Sequence, residues 1–291
     1  MDQHACHDTA PEHEGSAAYN VLEPATGLAT GLVFCSPHSG SVYPPDMRSC
    51  ADPASVRRVE DAAMDQLIAT APAKGAAVLL ARFGRAYVDL NRSEKELDPA
   101  LITDCPVQYP GPKTLAGYGV LHRLSGSGEP LYARRLDMAE VEARLQSVHR
   151  PYHRQLSRMM QDARAQKGRA VLVDWHSMPQ RATGHNGPDI ILGDRHGSSC
   201  ATFWTRSLRA LFEAQGWRVG LNRPYAGGYA TQLWGRPHED FHAVQIEVNR
   251  RLYWDEAAHQ PGAGWKRCES ALKRVIAELC AIAGEMPDER A

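Results

Sequence analysis

Short, nearly continuous apolar runs recur along the chain, and between them apolar residues return every three or four positions. Residues 31–35, 76–81, 86–90, 169–174, 189–192, 217–221 and 243–248 predict strands. Runs of this kind belong to strands covered on both faces. Val56, Val59, Ala63 and Leu67 predict a helix, as do Trp204, Leu208 and Leu211 and a terminal stripe of Leu272, Val275, Ile276 and Leu279. A longer stripe, Val141, Leu145, Val148, Tyr152, Leu156 and Met159, contains Pro151. Proline lacks a backbone donor and crowds the preceding turn, so this helix should kink or restart there. Strands alternating with helices predict an α/β fold, a mixed, mostly parallel sheet inside a three-layer αβα sandwich.

Neither an internal repeat nor a Pro/Ser-rich linker divides the chain. Residues 1–20 are expected to form a flexible tail, and 21–291 a single catalytic domain. Residues 93–130, rich in Pro, Gly and Tyr, are long for a connection and predict a site-forming insertion. His4, Cys6, His7 and His13 in the tail invite a metal assignment, but no periodic apolar residues surround them to hold ligand geometry.

Composition narrows the function classes. Of 291 residues 43% are hydrophobic, enough for a full core, and the formal net charge is -1. That balance gives no electrostatic case for nucleic acid or an anionic membrane. No apolar run approaches the ~18 residues needed to span a bilayer. Seven scattered cysteines without a C-x-x-C pair fit a reducing compartment, so a cytoplasmic location is expected. Oligomeric state is left open.

Four polar clusters follow apolar strands. In VLVDWHSM, residues 171–178, Asp174 and His176 are two positions apart and therefore share a strand face. SPHSG, residues 36–40, places His38 after the strand ending at Cys35, either facing a cleft or capping a helix. DLNR, residues 89–92, offers Asn91 and Arg92 for a substrate carboxylate, or else a structural pair between Asp89 and Arg92. In QIEVNRR, residues 245–251, Glu247 stands between Ile246 and Val248, and an apolar setting raises a carboxyl pKa toward the range of a general base. Two histidines and a carboxylate would supply three metal ligands and leave a position open. Glu60, Asp61 and Asp65 are the candidate carboxylates, with Asp61 and Asp65 one helical turn apart. H-E-x-x-H, G-x-S-x-G and P-loop motifs are absent.

Six motifs in order carry a resemblance: SPHSG followed by Tyr43-Pro44, Asp61 with Asp65 and Leu67, DLNR, Asp174 with His176-Ser177, NRPYAGGY at 222–229, and QIEVNRRLY at 245–253. Together the chain resembles the N-formylglutamate amidohydrolase family, which is similar in fold to zinc carboxypeptidases and aspartoacylases. The resemblance implies metal-dependent hydrolysis of the formamide bond of N-formyl-L-glutamate to formate and L-glutamate, in histidine degradation. Zinc, or another divalent ion, would be held by His38, His176 and Asp61. The carboxypeptidase pattern has Glu three residues after its first histidine, but position 41 is Ser. Asp61 therefore stands as the replacement, with Glu60 and Asp65 as alternatives.

The same resemblance implies Glu247 as the base and Arg92 as a catalytic and substrate-binding cation. Asn91, Arg123, Arg223, Tyr225 and Arg250 join Arg92 as substrate-binding candidates, since N-formylglutamate has two carboxylates to anchor. Asp174, Ser177 and Asp65 would support the ligands. A hydrolase of another N-acyl amino acid or small peptide is the near alternative, and a non-catalytic ligand-binding member of the fold the distant one. The partner expected is a small N-acyl amino acid, with neither nucleic acid nor membrane.

Overall fold

The most continuously apolar runs occupy the middle of a seven-stranded sheet in the computed structural model, which describes residues 18–286. The strands are β1 (Tyr19–Leu22), β2 (Leu32–Ser36), β3 (Ala77–Ala81), β4 (Ala170–Met178), β5 (Ile190–Gly193), β6 (Val219–Leu221) and β7 (Phe241–Asn249), in the order β1-β3-β2-β4-β7-β5-β6. β3, β2, β4 and β7 are parallel, while β1 and β5 run antiparallel to their neighbours β3 and β7. Every residue of β2 and β4 is buried, whereas the edge strands β1 and β6 are partly exposed. The sheet is mixed and mostly parallel, as expected.

Helices α1 (Pro53–Arg57), α2 (Met64–Leu67), α3 (Pro112–Leu115), α4 (Met138–Arg144), α5 (Arg150–Lys167), α6 (Thr202–Glu213), α7 (Tyr229–Trp234) and α8 (Trp265–Glu285) flank it. Strand periodicity of two assigns the layers. Phe34, Val173, Trp175 and Ile246 join one core with Leu67, Trp204, Leu208, Leu272 and Ile276, from α2, α6 and α8. Val33, Cys35, Leu172 and Ala243 join the other with Val141, Leu156, Met160 and Trp234, from α4, α5 and α7. Each fully buried large side chain contributes about 1.5–3 kcal/mol. Among the described residues no helix is long and apolar enough to cross a membrane.

Three expectations need correction. Residues 86–90 are not a strand: Ala86, Val88 and Leu90 are buried, but the segment is a turn held by Tyr87 N donating to Gly84 O and Asp89 N to Val120 O. An apolar run buried on all sides carries no periodicity to separate the two. The stripe from Val56 to Leu67 is not one helix either. Ala63 adopts φ 55° and Asp61 N donates to His38 O at 2.9 Å, so residues between α1 and α2 leave the helical ladder to reach the end of β2. Residues 18–20, expected within the tail, belong to the folded domain: Ala18 is buried and Tyr19 and Asn20 pair with β3. His4, Cys6, His7 and His13 lie outside the described residues. At Pro151 the helix restarts through a π-helical turn, Leu145–His149, in which Arg150 N reaches back to Leu145 O. A prolyl nitrogen leaves the preceding turn without its partner, and one extra residue accommodates that.

Leu172 sits at the centre of β4 with no exposed surface. Leu172→Ala should lower stability by about 2–5 kcal/mol, read as a clear drop in Tm by calorimetry. An unchanged Tm would show that this core is not packed as described.

Candidate functional site

Along β4 and β7 one sheet face changes character. Leu172 and Ala243 bury it in the core, but two residues on Asp174 pairs with Gln245, and then His176 with Glu247. The polar half lies toward the C-terminal ends of parallel strands, where α/β folds place their sites. A cavity of about 520 Å³ opens there, lined by His38, Asp61, His176 and Glu247 among others.

His38 enters from the turn after β2. Gly40 in that turn is pressed against the chain, since a Cβ there would lie 2.3 Å from Phe83 O. No other residue fits without moving backbone. His38 Nε2 meets Asp89 Oδ1 at 2.6 Å, and His176 Nε2 meets Asp174 Oδ1 at 2.9 Å. A carboxylate accepts, so each Nε2–H donates outward and each Nδ1 is left facing the centre. Asp61 Oδ2 lies 3.4 Å from His38 Nδ1 and 2.8 Å from His176 Nδ1. The three groups are buried, with donor atoms within 4.8 Å of one another.

The electrostatics ask for a cation among them. Burial would lower the His176 pKa, yet Asp174 and Asp61 outweigh it and hold it well above the ordinary value. Burial would raise Asp61, yet the adjoining His176 and His38 imidazoles hold it well below. His38 Nδ1 is buried without a hydrogen-bond partner. Two imidazole nitrogens and one carboxylate oxygen, with carboxylates behind both imidazoles, are a donor set suited to a divalent metal. The residues fit such an ion.

Glu247 stands beside His176 in the sheet register, and burial pushes its pKa up to about 7. Gln245 orients it: the amide nitrogen donates to Glu247 Oε1 at 2.7 Å, and the amide oxygen accepts from Gly228 N at 2.7 Å. Asn91, expected to bind substrate, has its amide committed elsewhere. Its nitrogen donates to Asp174 Oδ2 at 3.1 Å and its oxygen accepts from Ala230 N at 2.8 Å. Arg250 lines the cavity but grips the protein, pairing with Asp61 at 3.5 Å and donating to Ser177 Oγ at 3.0 Å and Glu60 O at 2.6 Å. Ser177 Oγ in turn donates to Asp61 Oδ1 at 3.4 Å.

Arg92 and Tyr225 line the cavity, and the nearest ion-pair contact of Arg92 is Glu96 at 3.7 Å. Arg123 and Arg223 are not brought to it. Arg123 Nε pairs with Asp98 at 2.8 Å inside the insertion, and Arg223 is exposed on its loop. Asp65 also lies outside the cavity lining and the metal cluster, because the break at Ala63 removes the shared helix face. Glu60 is buried toward Arg57 at 3.3 Å, and burial pushes its pKa up to about 7. It is not part of the cluster.

The sequence offered Asp89 only as a structural partner of Arg92, whereas its guanidinium partner is Arg85, and it did not single out Arg85, His122, Lys113 or Gln245. Asp89 is the hub: besides His38 it accepts from His122 Nε2 at 3.0 Å, Arg85 at 2.8 Å and Asn91 N at 2.9 Å. Burial pushes the His122 pKa down to about 4, so it enters the cluster neutral. The two-residue spacing of Gln245 and Glu247 was the available signal for Gln245. Nothing local to Arg85 or Lys113 marks them.

A three-layer α/β sandwich with two histidines, an aspartate and a buried glutamate at its parallel strand ends defines a candidate metallohydrolase. The chain belongs to the N-formylglutamate amidohydrolase family, whose sequence model matches residues 30–254. A Pseudomonas aeruginosa protein named N-formylglutamate deformylase is 32% identical over 256 residues, covering 85% of this chain and 90% of its own. The crystal structure of N-formylglutamate amidohydrolase from Ralstonia eutropha JMP134 superposes with a TM-score of 0.87 at 31% identity, covering 92% of this chain and 98% of that one. A gene product of Agrobacterium tumefaciens, 18% identical, shares the fold with a TM-score of 0.54, covering 92% and 94%.

Gly228 is packed so closely on Asn91 that a Cβ would lie 2.5 Å from its amide nitrogen. Gly228→Ala should therefore displace Asn91 from Asp174 and weaken divalent-metal affinity about tenfold or more, measured by chelator competition. Unaltered affinity would remove Asn91 from the support of His176.

Proposed function

We propose that this protein hydrolyses N-formyl-L-glutamate to formate and L-glutamate with a zinc ion held by His38, His176 and Asp61. The observation that carries the reading is the buried Glu247 beside a His–Asp–His cluster, in a chain of this family. When bound, zinc would supply Lewis acidity, polarising the formyl carbonyl and lowering the pKa of a water.

The protein's own groups do the rest. Glu247, kept half protonated near neutrality by its burial, takes a proton from the attacking water. Water oxygen bonds to the formyl carbon, the C–N bond breaks, and Glu247 returns the proton to the departing nitrogen. Gln245 holds the carboxylate toward this exchange. Asp174 and Asp89 fix the imidazole tautomers, and Arg250 with Ser177 fixes Asp61. Arg92, whose nearest ion-pair contact is Glu96 at 3.7 Å, lines the cavity and anchors the carboxylate next to the formamide. A cytoplasmic role in histidine degradation, where N-formylglutamate is consumed, completes the reading.

The test is formate release from N-formyl-L-glutamate together with metal content. His176→Ala should lose the metal and the activity. Glu247→Gln should keep the metal while kcat falls about 10²–10⁴-fold. Metal-free wild type without activity would sink the reading, and activity confined to other acylated amino acids would redirect it to a related amidohydrolase. Full activity in Glu247→Gln would remove Glu247 as the base.

A further inference from the structure

The cavity has more cations than the metal cluster and its supports require. Arg85 is tied to Asp89, and Arg250 to Asp61. Arg92 faces Glu96 at 3.7 Å. Arg58 and Arg181 also line the cavity, as does Glu256, which is 3.5 Å from Arg250 and accepts from Gln180 N.

Lys113 is different. It begins the short helix α3 inside the 93–130 insertion and lines the cavity next to the Arg92 wall. No carboxylate lies within ion-pair distance of it among the described residues. Partial desolvation at the cavity, and then the like charges of Arg92 and Arg85, push its pKa down against the opposing pull of Asp89 and Glu247. Arg85 and Arg92 each face a carboxylate already, which leaves Lys113 as the cation of this group without one.

We propose that Lys113 binds the side-chain carboxylate of the substrate and so selects an acidic N-formyl amino acid over a neutral one. This assignment rests on the deformylase reading and deepens it. The formamide must reach the buried cluster, so the carboxylate on the adjacent carbon lies deep, at half-buried Arg92. The side-chain carboxylate extends toward the rim, where Lys113 is exposed on its helix. A flexible ammonium suits a carboxylate at the end of a flexible side chain. The residue comes from the insertion, and the sheet contributes nothing to it.

Steady-state kinetics of wild type, Lys113→Met and Lys113→Arg test it, with N-formyl-L-glutamate and N-formyl-L-glutamine as substrates. The second keeps the shape and loses the charge. Lys113→Met should raise KM for N-formyl-L-glutamate about tenfold, leave KM for N-formyl-L-glutamine within about twofold, and leave kcat for both near wild type. Lys113→Arg should restore most of the difference. Equal shifts for both substrates, or none for either, would overturn the assignment. If wild type releases formate from neither, the deformylase reading fails, and calorimetry with glutarate and butyrate decides Lys113 separately. Its loss must then weaken glutarate and spare butyrate; unchanged glutarate binding overturns it.

Discussion

Buried negative charge is the constraint on which the rest of this structure depends. Asp61, Asp89, Asp174 and Glu247 are all nearly inaccessible, and the guanidiniums facing them are Arg85 and Arg250. Four carboxylates against two cations leave an excess that a low-dielectric interior does not tolerate. A divalent cation held among them would relieve it. The raised Glu247 and His176 pKa values and the partnerless His38 Nδ1 are three signs of one imbalance. Local backbone choices follow from it. The chain breaks helix at Ala63 to deliver Asp61, and tolerates a buried turn at 86–90 to deliver Asp89.

Much of this was legible in the sequence, and what was legible had a period. The mixed, mostly parallel sheet followed from apolar runs alternating with helical stripes. Asp174, His176 and Glu247 stood out as polar residues where strand faces should be apolar. The segment 86–90 failed because burial on every side erases periodicity, so a turn and a strand look alike. Asp65 was misplaced because helical spacing between Val56 and Leu67 continued on paper through a residue that takes φ 55° in space. A left-handed alanine is imposed by tertiary contacts, here Asp61 reaching the carbonyl of His38, and leaves no local trace.

The arginines show a different limit. A guanidinium in a motif reads equally well as a substrate anchor or as a clamp on a neighbouring carboxylate, and only geometry separates them. Arg250 and Arg123 proved to be clamps, for Asp61 and Asp98 respectively. Asn91 is the amide counterpart, joining Asp174 to the chain at Ala230. One logic runs through all three: a polar group whose hydrogen bonds are committed to the protein holds structure in place, and a group that meets a ligand must be left with unsatisfied capacity.

That distinction divides the site into two parts with separate origins. His38, Asp61, His176, Glu247 and most of their supports come from strand ends and the segments packed directly on them, although His122, which donates to Asp89, is contributed by the 93–130 insertion. Lys113 and Tyr118 come from the 93–130 insertion, which carries one short helix and is joined to the rest through backbone bonds such as Asp89 N to Val120 O. Substitution there alters the charge of the cavity rim without touching any ligand to the metal. A change in that loop can therefore alter the cavity rim while the residues at the strand ends stay in place.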